Sequence, residues 1–196
     1  MSAAPKHAPR RARDAYYTPD RLARACVGVL PIEDGATVLE PSCGGGAFVR
    51  ALTDVGAWVE GLDVDRDAAG LGLASSSAVR DFLTYAPAWR PSWVVGNPPY
   101  SAAEAHVRRA LAVSRRHVAM LLRLSFLESA RRAALWSQSP PRRVWVLTSR
   151  PSFTGGGTDS AAYGWFWWDR AWPGPTSLGW LDWARDGVQL SLLGGP

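Results

Sequence analysis

The residues with the most specific chemistry in this 196-residue chain are Val95-Gly96-Asn97-Pro98-Pro99-Tyr100. An amine conjugated to an aromatic ring is a poor nucleophile, because its lone pair is spread into the ring, so a catalyst must localise that pair. Two oxygen acceptors in one turn can do so by each taking one N–H: the Asn97 side-chain carbonyl and the Pro98 backbone carbonyl. Pro98 and Pro99 fix φ near about −65° and remove amide donors that would compete for these acceptors, which makes the turn stiff and oriented. Tyr100 adds a face on which a planar base can stack. No strong general base is needed, since the proton can leave after the new bond has formed.

Three weaker signals precede this turn. Glu40-Pro41-Ser42-Cys43-Gly44-Gly45-Gly46 reads as a strand running through glycines into a helix, where backbone can approach a ligand closely. As a GxGxxG pattern it is incomplete, because Val49 occupies the third place, so a nicotinamide or flavin cofactor is disfavoured. Without Gly-Lys-Ser/Thr an NTP loop is disfavoured too, and the Glu40 carboxylate would repel phosphate while suiting an amino or sulfonium cation. Asp63, in Gly61-Leu62-Asp63-Val64-Asp65, stands where a carboxylate can take both ribose hydroxyls, whereas Asp65 suits a helix-capping role better. Asp81 could hold an exocyclic amine, and Phe82 could pack on a purine. Each signal alone fits an ordinary turn. In this order, each at the end of a strand, they point to a nucleoside cofactor.

With these motifs in place, the chain resembles the amino-methyltransferases that use S-adenosylmethionine, above all the N6-adenine DNA methyltransferases, whose signature is Asn-Pro-Pro-Tyr after the fourth strand. The resemblance runs from Tyr17 to about Trp168. Tyr17-Thr18-Pro19 is similar to the family's N-terminal cofactor motif, Glu40 to Gly46 to its glycine motif, and Asp63 and Asp81-Phe82 to its ribose and adenine contacts. It implies that Thr18 touches the methionine carboxylate and that Pro41, Ser42, Gly44 and Gly46 line the cofactor. It also implies a class I methyltransferase fold: a Rossmann-like, seven-stranded, mostly parallel α/β sheet with an antiparallel last strand and helices on both faces. Val144 to Phe153 and Thr158-Asp159-Ser160 look most like small phage-type members. Phe153 is either a second wall of a base pocket or a hydrophobic plug. RNA base amines and the glutamine amide of a protein are alternative substrates for the same turn. A nucleic-acid-binding protein that has kept the fold without activity is the non-enzymatic alternative.

The pattern along the chain supplies the elements that must position these residues. A helix is expected from Pro19 to Leu30, with Thr18 as cap and Pro19 at its first position, stopped by Pro31. Strands are expected over Thr37–Leu39, Trp58–Leu62, Ala78–Phe82, Trp93–Val95 and Val118–Leu124. Between and after them, helices are expected over Gly46–Val55, Asp67–Ala74, Ala102–Arg115 and Leu127–Trp136. Such alternation calls for a parallel sheet. Two further strands, Val144–Thr148 and Tyr163–Trp168, joined through Gly155-Gly156-Gly157 without a helix, call for an antiparallel hairpin at its edge. Trp165, Phe166, Trp167 and Trp168 alternate on that last strand and read as core rather than as a base-stacking platform; Trp172 falls just beyond it.

Composition narrows the classes. Two cysteines and three scattered histidines offer no metal-ligand spacing or disulfide framework, which favours a reducing compartment and no metal. No stretch of about 18 uncharged apolar residues exists, and the expectation is a soluble, cytoplasmic protein of bacterial or phage origin. The net charge of +5 is unevenly placed. Residues 1–15 read as a disordered basic tail and 16–196 as one catalytic domain. Ten arginines against two acids between 100 and 150 give +8 beside the Asn-Pro-Pro-Tyr turn, next to an acidic segment over 16–99. DNA, duplex or single-stranded, is the expected partner, with Arg108 and Arg109 on its phosphates; the alternative is that these arginines are the wet face of a helix. Only 28 residues follow Trp168, so sequence selectivity is expected to be low, loop-encoded, or supplied by a partner subunit.

Overall fold

A computed structural model describes residues 17–153 and 159–184. The expected basic tail, Gly155 to Gly157 and Thr158 lie outside the described residues. One eight-stranded sheet organises the rest, in the order β3-β2-β1-β4-β5-β7-β6-β8. Its strands are β1 (Thr37–Glu40), β2 (Trp58–Asp63), β3 (Ser76–Val79), β4 (Trp93–Gly96), β5 (His117–Arg123), β6 (Arg143–Leu147), β7 (Tyr163–Asp169) and β8 (Ser177–Leu181). β3, β2, β1, β4 and β5 run parallel, while β7 pairs antiparallel with both β5 and β6. The helices are α1 (Asp20–Gly28), α2 (Ala47–Asp54), α3 (Ala103–Val113) and α4 (Ala133–Gln138).

Strand alternation builds the two cores. On β7, Trp165 and Trp167 enter the layer beneath α1 and α2, where Phe48 stacks on Trp165 at 5.3 Å. Phe166 and Trp168 point the other way, to Val107 and Ala110 of α3 and Leu135 of α4. A central strand buried on both faces needs a large apolar residue at nearly every position. The aromatic run supplies that.

Several expected elements are corrected. The sheet has eight strands rather than seven, because Ser177–Leu181 adds β8 alongside β6 in parallel. β7 lies inside the sheet, between β5 and β6, and the last strand, β8, is a parallel edge. The helix expected over Asp67–Ala74 is a short 3-10 turn at Ala69–Gly72. Gly70 lies there against Cys43, so close that a Cβ on it would sit 2.6 Å from the Cys43 carbonyl oxygen, a contact that specifies a turn rather than an amphipathic helix. The start of the helix expected over Leu127–Trp136 is broken into 3-10 turns at Leu124–Leu127 and Ala130–Arg132, with α4 starting only at Ala133. β3 ends at Val79, which leaves Asp81 and Phe82 in the following turn. Among the described residues no helix is long and apolar enough to cross a membrane.

At the opposite end of the sheet from these turns, His117 opens β5 with its ring stacked on Trp93 at 4.0 Å. Its Nδ1 is 3.8 Å from Asp169, which also binds Arg116 and Arg142. Burial, reinforced by those two arginines and opposed by Asp169, pushes the imidazole down to about 4 from 6.5. Between these values the unfolded chain holds a proton that the folded chain does not. Stability should therefore fall as pH is lowered from about 6.5 towards 4, by at most about 3 kcal/mol. Urea unfolding at pH 7 and pH 5 measures this, and His117→Phe, which keeps the stack without the titration, should flatten that part of the profile.

Candidate active site

The turns after β1, β2, β3 and β4 converge on a cavity of about 290 Å³. Pro41, Ser42 and Gly44 line it from the first turn, Asp63, Val64, Asp65 and Ala68 from the second, Asp81, Phe82 and Leu83 from the third, and Asn97 to Tyr100 from the fourth. Tyr17, Ala102 and His106 complete the wall. A smaller recess of about 30 Å³ shares Tyr17, Ser42, Gly44 and Asn97 and adds Thr18, Glu40, Cys43 and Phe48. Parallel strands make this convergence unavoidable, since every β-to-α turn leaves by the same edge.

Glycine conformation shapes the first turn. Gly44 and Gly46 take left-handed φ values of 42° and 80°, and Gly46 caps α2. Gly46 does not line the cavity. A Cβ there would meet Leu73 at 2.6 Å, so this glycine lets the turns after β1 and β2 pack together. The Tyr17 ring lies over Gly44 and Gly45.

Asp63 ties two of these turns together: Oδ2 accepts the Gly44 N–H at 2.8 Å and Oδ1 accepts the Asp65 N–H at 2.9 Å. Each carboxylate oxygen keeps a second lone pair, so the side chain stays able to accept from a diol. Asp65 accepts the Asp67 N–H within a turn and caps no α-helix, since the helix expected there is the 3-10 turn. Asp81 likewise accepts the Leu83 N–H at 2.9 Å, which fixes the turn that carries Phe82.

Two buried acceptors in the recess have no partner among the described residues, Asn97 Oδ1 and Glu40 Oε2. Leaving such groups unpaired costs about 1–3 kcal/mol each, so a donor-bearing ligand is the physical complement of this site. Glu40 is 1% exposed, and its carboxyl is pushed well above its ordinary range by burial, with the Asp63 charge adding to this against the Ser42 N–H. Gly96 is what lets it sit there, because any Cβ at 96 would collide with Glu40 Oε1.

Thr18 is not a helix cap. Pro19 occupies the cap position of α1, outside the cavity wall, and the Thr18 hydroxyl instead accepts from Asn97 Nδ2 at 3.1 Å. That bond orients the Asn97 amide so that its oxygen is the group left over. Tyr100 packs at 5.5 Å against Tyr163 and carries the Arg123 guanidinium over its ring at 4.7 Å. Burial pushes its hydroxyl far above the usual phenol range.

Two expected substrate contacts, Phe153 and Arg109, are placed differently. Phe153 belongs to the core, edge-on to Tyr100 at 6.2 Å and away from the cavity wall, which fits the plug rather than the second wall. Arg109 donates to the Tyr85 carbonyl and is held against its own fold. Arg108 pairs with Glu104 one helical turn away, at 3.0 Å. His106 had no flag in the sequence, where a single histidine on a helix carries no pattern. Among the described residues no three His, Cys, Asp or Glu side chains converge as a metal site requires.

No protein-family model matches the chain. Over 99 residues, 49% of the chain, it is 34% identical to the type II methyltransferase M.TthHB8I of Thermus thermophilus, and the match spans 23% of that protein's length. Among solved structures, a proposed class I S-adenosylmethionine-dependent methyltransferase from Listeria monocytogenes superposes with a TM-score of 0.67 at 14% identity, covering 90% of this chain and 68% of that one. The modification subunit of a proposed type I restriction enzyme from Vibrio vulnificus gives 0.64 at 16% identity, covering 89% of this chain and 48% of that one. The 23S rRNA methyltransferase ErmE gives 0.63 at 21% identity, over 81% and 71%. The fold is that of the class I methyltransferases.

Proposed function

We propose that this protein is an S-adenosylmethionine-dependent methyltransferase acting on the exocyclic N6 amine of adenine in DNA. The observation that carries the reading is Asn97 Oδ1: a buried acceptor without a partner, on a rigid Pro-Pro turn, at the junction of a nucleoside-sized cavity and an acidic recess. S-Adenosylmethionine supplies an electrophilic methyl on a sulfonium when bound. Asp63 would hold its ribose, Asp81 and Phe82 its adenine, and Glu40, in the recess beside Thr18, its cationic end. Asn97 Oδ1 and the Pro98 carbonyl each accept one hydrogen of the target amine, draw the nitrogen towards a pyramidal shape and turn its lone pair towards the recess. The target base, once out of the stack, would lie on the face of Tyr100 opposite Arg123. The Thermus relative's name as a type II methyltransferase supports DNA over RNA or protein.

Tritiated methyl transfer from S-adenosylmethionine to duplex DNA, single-stranded DNA, RNA and protein, followed by nucleoside digestion, tests this. N6-methyladenine from DNA alone is the expected result, and label confined to RNA or protein overturns the assignment. If the protein fails to bind S-adenosylmethionine in calorimetry, the non-catalytic reading stands instead.

The +8 stretch does not act as a single surface. Arg116 and Arg142 bind Asp169, Arg132 donates to the carbonyls of Ser125, Phe126 and Glu128, and Arg123 covers Tyr100. Arg115 and Arg116 line a cavity at the far end of the sheet. Arg108 and Arg131 instead border an open groove of about 480 Å³ that begins at Ser101, one residue past the turn. These two would carry the phosphate backbone. The double variant Arg108→Ala/Arg131→Ala should weaken DNA binding and lower the slope of log K against log salt by about 2. Fluorescence anisotropy across a salt series reads this, and Arg109→Ala should leave the slope unchanged.

A further inference from the structure

A histidine lines the cavity beside the groups that would hold the cofactor. His106 lies on α3, buried, with its ring 5.5 Å from Phe82, lining the same cavity as Asp81 and close enough to feel its charge. Its Nδ1 is 3.0 Å from the Ala102 carbonyl oxygen. A carbonyl only accepts, so Nδ1 carries the hydrogen, and in the neutral ring Nε2 is then a bare acceptor. Burial holds the imidazole below its ordinary range, against the Ala102 carbonyl and the Asp81 charge, which keeps it neutral. Asp81 has committed Oδ1 to the Leu83 N–H and retains acceptor capacity on its carboxylate. The cavity thus carries two acceptors, a histidine nitrogen and a carboxylate, beside an aromatic ring.

We propose that His106 selects the nucleobase of the cofactor: its Nε2 accepts one hydrogen of the adenine exocyclic amine while Asp81 accepts the other, with Phe82 against the ring. This rests on the reading that the cavity holds S-adenosylmethionine. An exocyclic amine is the group that brings two N–H donors on one atom to two acceptors. A 6-oxo purine presents an oxygen there, faces two acceptors without a proton between them, and is repelled. Sites built to pair with a specific N–H reject an analogue lacking it more strongly than apolar pockets reject a change of shape.

The test is calorimetry of the full chain with S-adenosylhomocysteine and with its 6-oxo analogue S-inosylhomocysteine. Wild type should prefer the adenosyl compound by about 100-fold or more. In His106→Phe, which keeps an aromatic ring against Phe82 but removes the acceptor, that preference should fall about tenfold. His106→Gln, whose amide oxygen can stand near the Nε2 position, should retain most of it. Wild-type protein with ¹⁵N-labelled histidine gives a readout independent of any variant: the unprotonated Nε2 resonance should move upfield with S-adenosylhomocysteine and not with the inosyl analogue. An unchanged preference in His106→Phe, or an Nε2 resonance that ignores the adenosyl ligand, overturns the assignment of His106 while leaving the cofactor reading intact. Wild type that binds neither compound overturns both.

Discussion

Replacing Asn97 by alanine should lower the rate of methyl transfer by about 10³-fold, with the affinity for S-adenosylmethionine changed by no more than about fivefold. The expectation follows from what Asn97 does in each state. In the protein by itself, its oxygen is a buried acceptor without a partner among the described residues and its nitrogen serves Thr18. Only when the target amine enters and its nitrogen begins to pyramidalise does the oxygen gain a strong donor, because the amine hydrogens become more acidic as positive charge develops. An interaction realised mainly in the transition state appears in the rate and not in cofactor binding. Loss of one such preoriented group costs about 10² to 10³. The Pro98 carbonyl alone cannot hold both hydrogens, which puts the loss at the upper end. Single-turnover methyl transfer with calorimetric titration of the cofactor separates the two quantities. Equal losses in rate and cofactor affinity would show Asn97 to be a part of the recess wall and no more.

Replacing Asp63 by alanine should have the opposite profile, raising the dissociation constant for the cofactor by about 100-fold or more. The two charge-assisted hydrogen bonds that Asp63 would make to the ribose are lost, each worth about 1.5–3 kcal/mol. The same substitution strips the Gly44 and Asp65 amides of their acceptor and so loosens both turns that form the cavity wall. A stability loss of about 1–3 kcal/mol should accompany it. Asp63→Asn keeps one oxygen but turns a donor towards one of the two amides, and should fall between wild type and alanine in both measurements. Calorimetry and urea unfolding on the same preparations are sufficient. Wild-type cofactor affinity in Asp63→Ala would mean that the carboxylate only braces the turns.

The two substitutions also show why part of the site was legible in the chain. Asn97 and Asp63 stand at the ends of strands whose apolar character is local, beside prolines and glycines whose backbone preferences are local too. Asp81-Phe82 could be placed at the end of the third strand for the same reason, although β3 stops three residues earlier than its apolar pattern suggested. Legibility failed where a residue's partner lies far along the chain. Thr18 has the composition of a cap, and only the approach of β4 to the start of α1, 79 residues away in sequence, makes it the partner of Asn97. Phe153 has the composition of a stacking wall, and its packing on Tyr100 and Tyr163 turns it into core. β8 was missed because Ser177-Leu178-Gly179-Trp180-Leu181 has little intrinsic strand signal; its pairing with β6 forms it.

What the sequence by itself determined is the alternation that makes a parallel sheet, the turns at one edge of it and the acceptor pair at Asn97 and Pro98. These depend on hydrophobic period, on proline and glycine geometry and on the electronic structure of an amine, all of which act over a few residues. What only the tertiary structure decided is where each charge is spent. The arginines between 100 and 150 look like one basic surface in the chain, yet the fold sends Arg116 and Arg142 to Asp169, ties Arg109 to Tyr85, lays Arg123 on Tyr100 and leaves Arg108 and Arg131 beside the Asn-Pro-Pro-Tyr turn. A guanidinium reaches several ångströms and pairs with whatever acceptor the packing brings near, so its role follows from three-dimensional distance and cannot be counted along the chain.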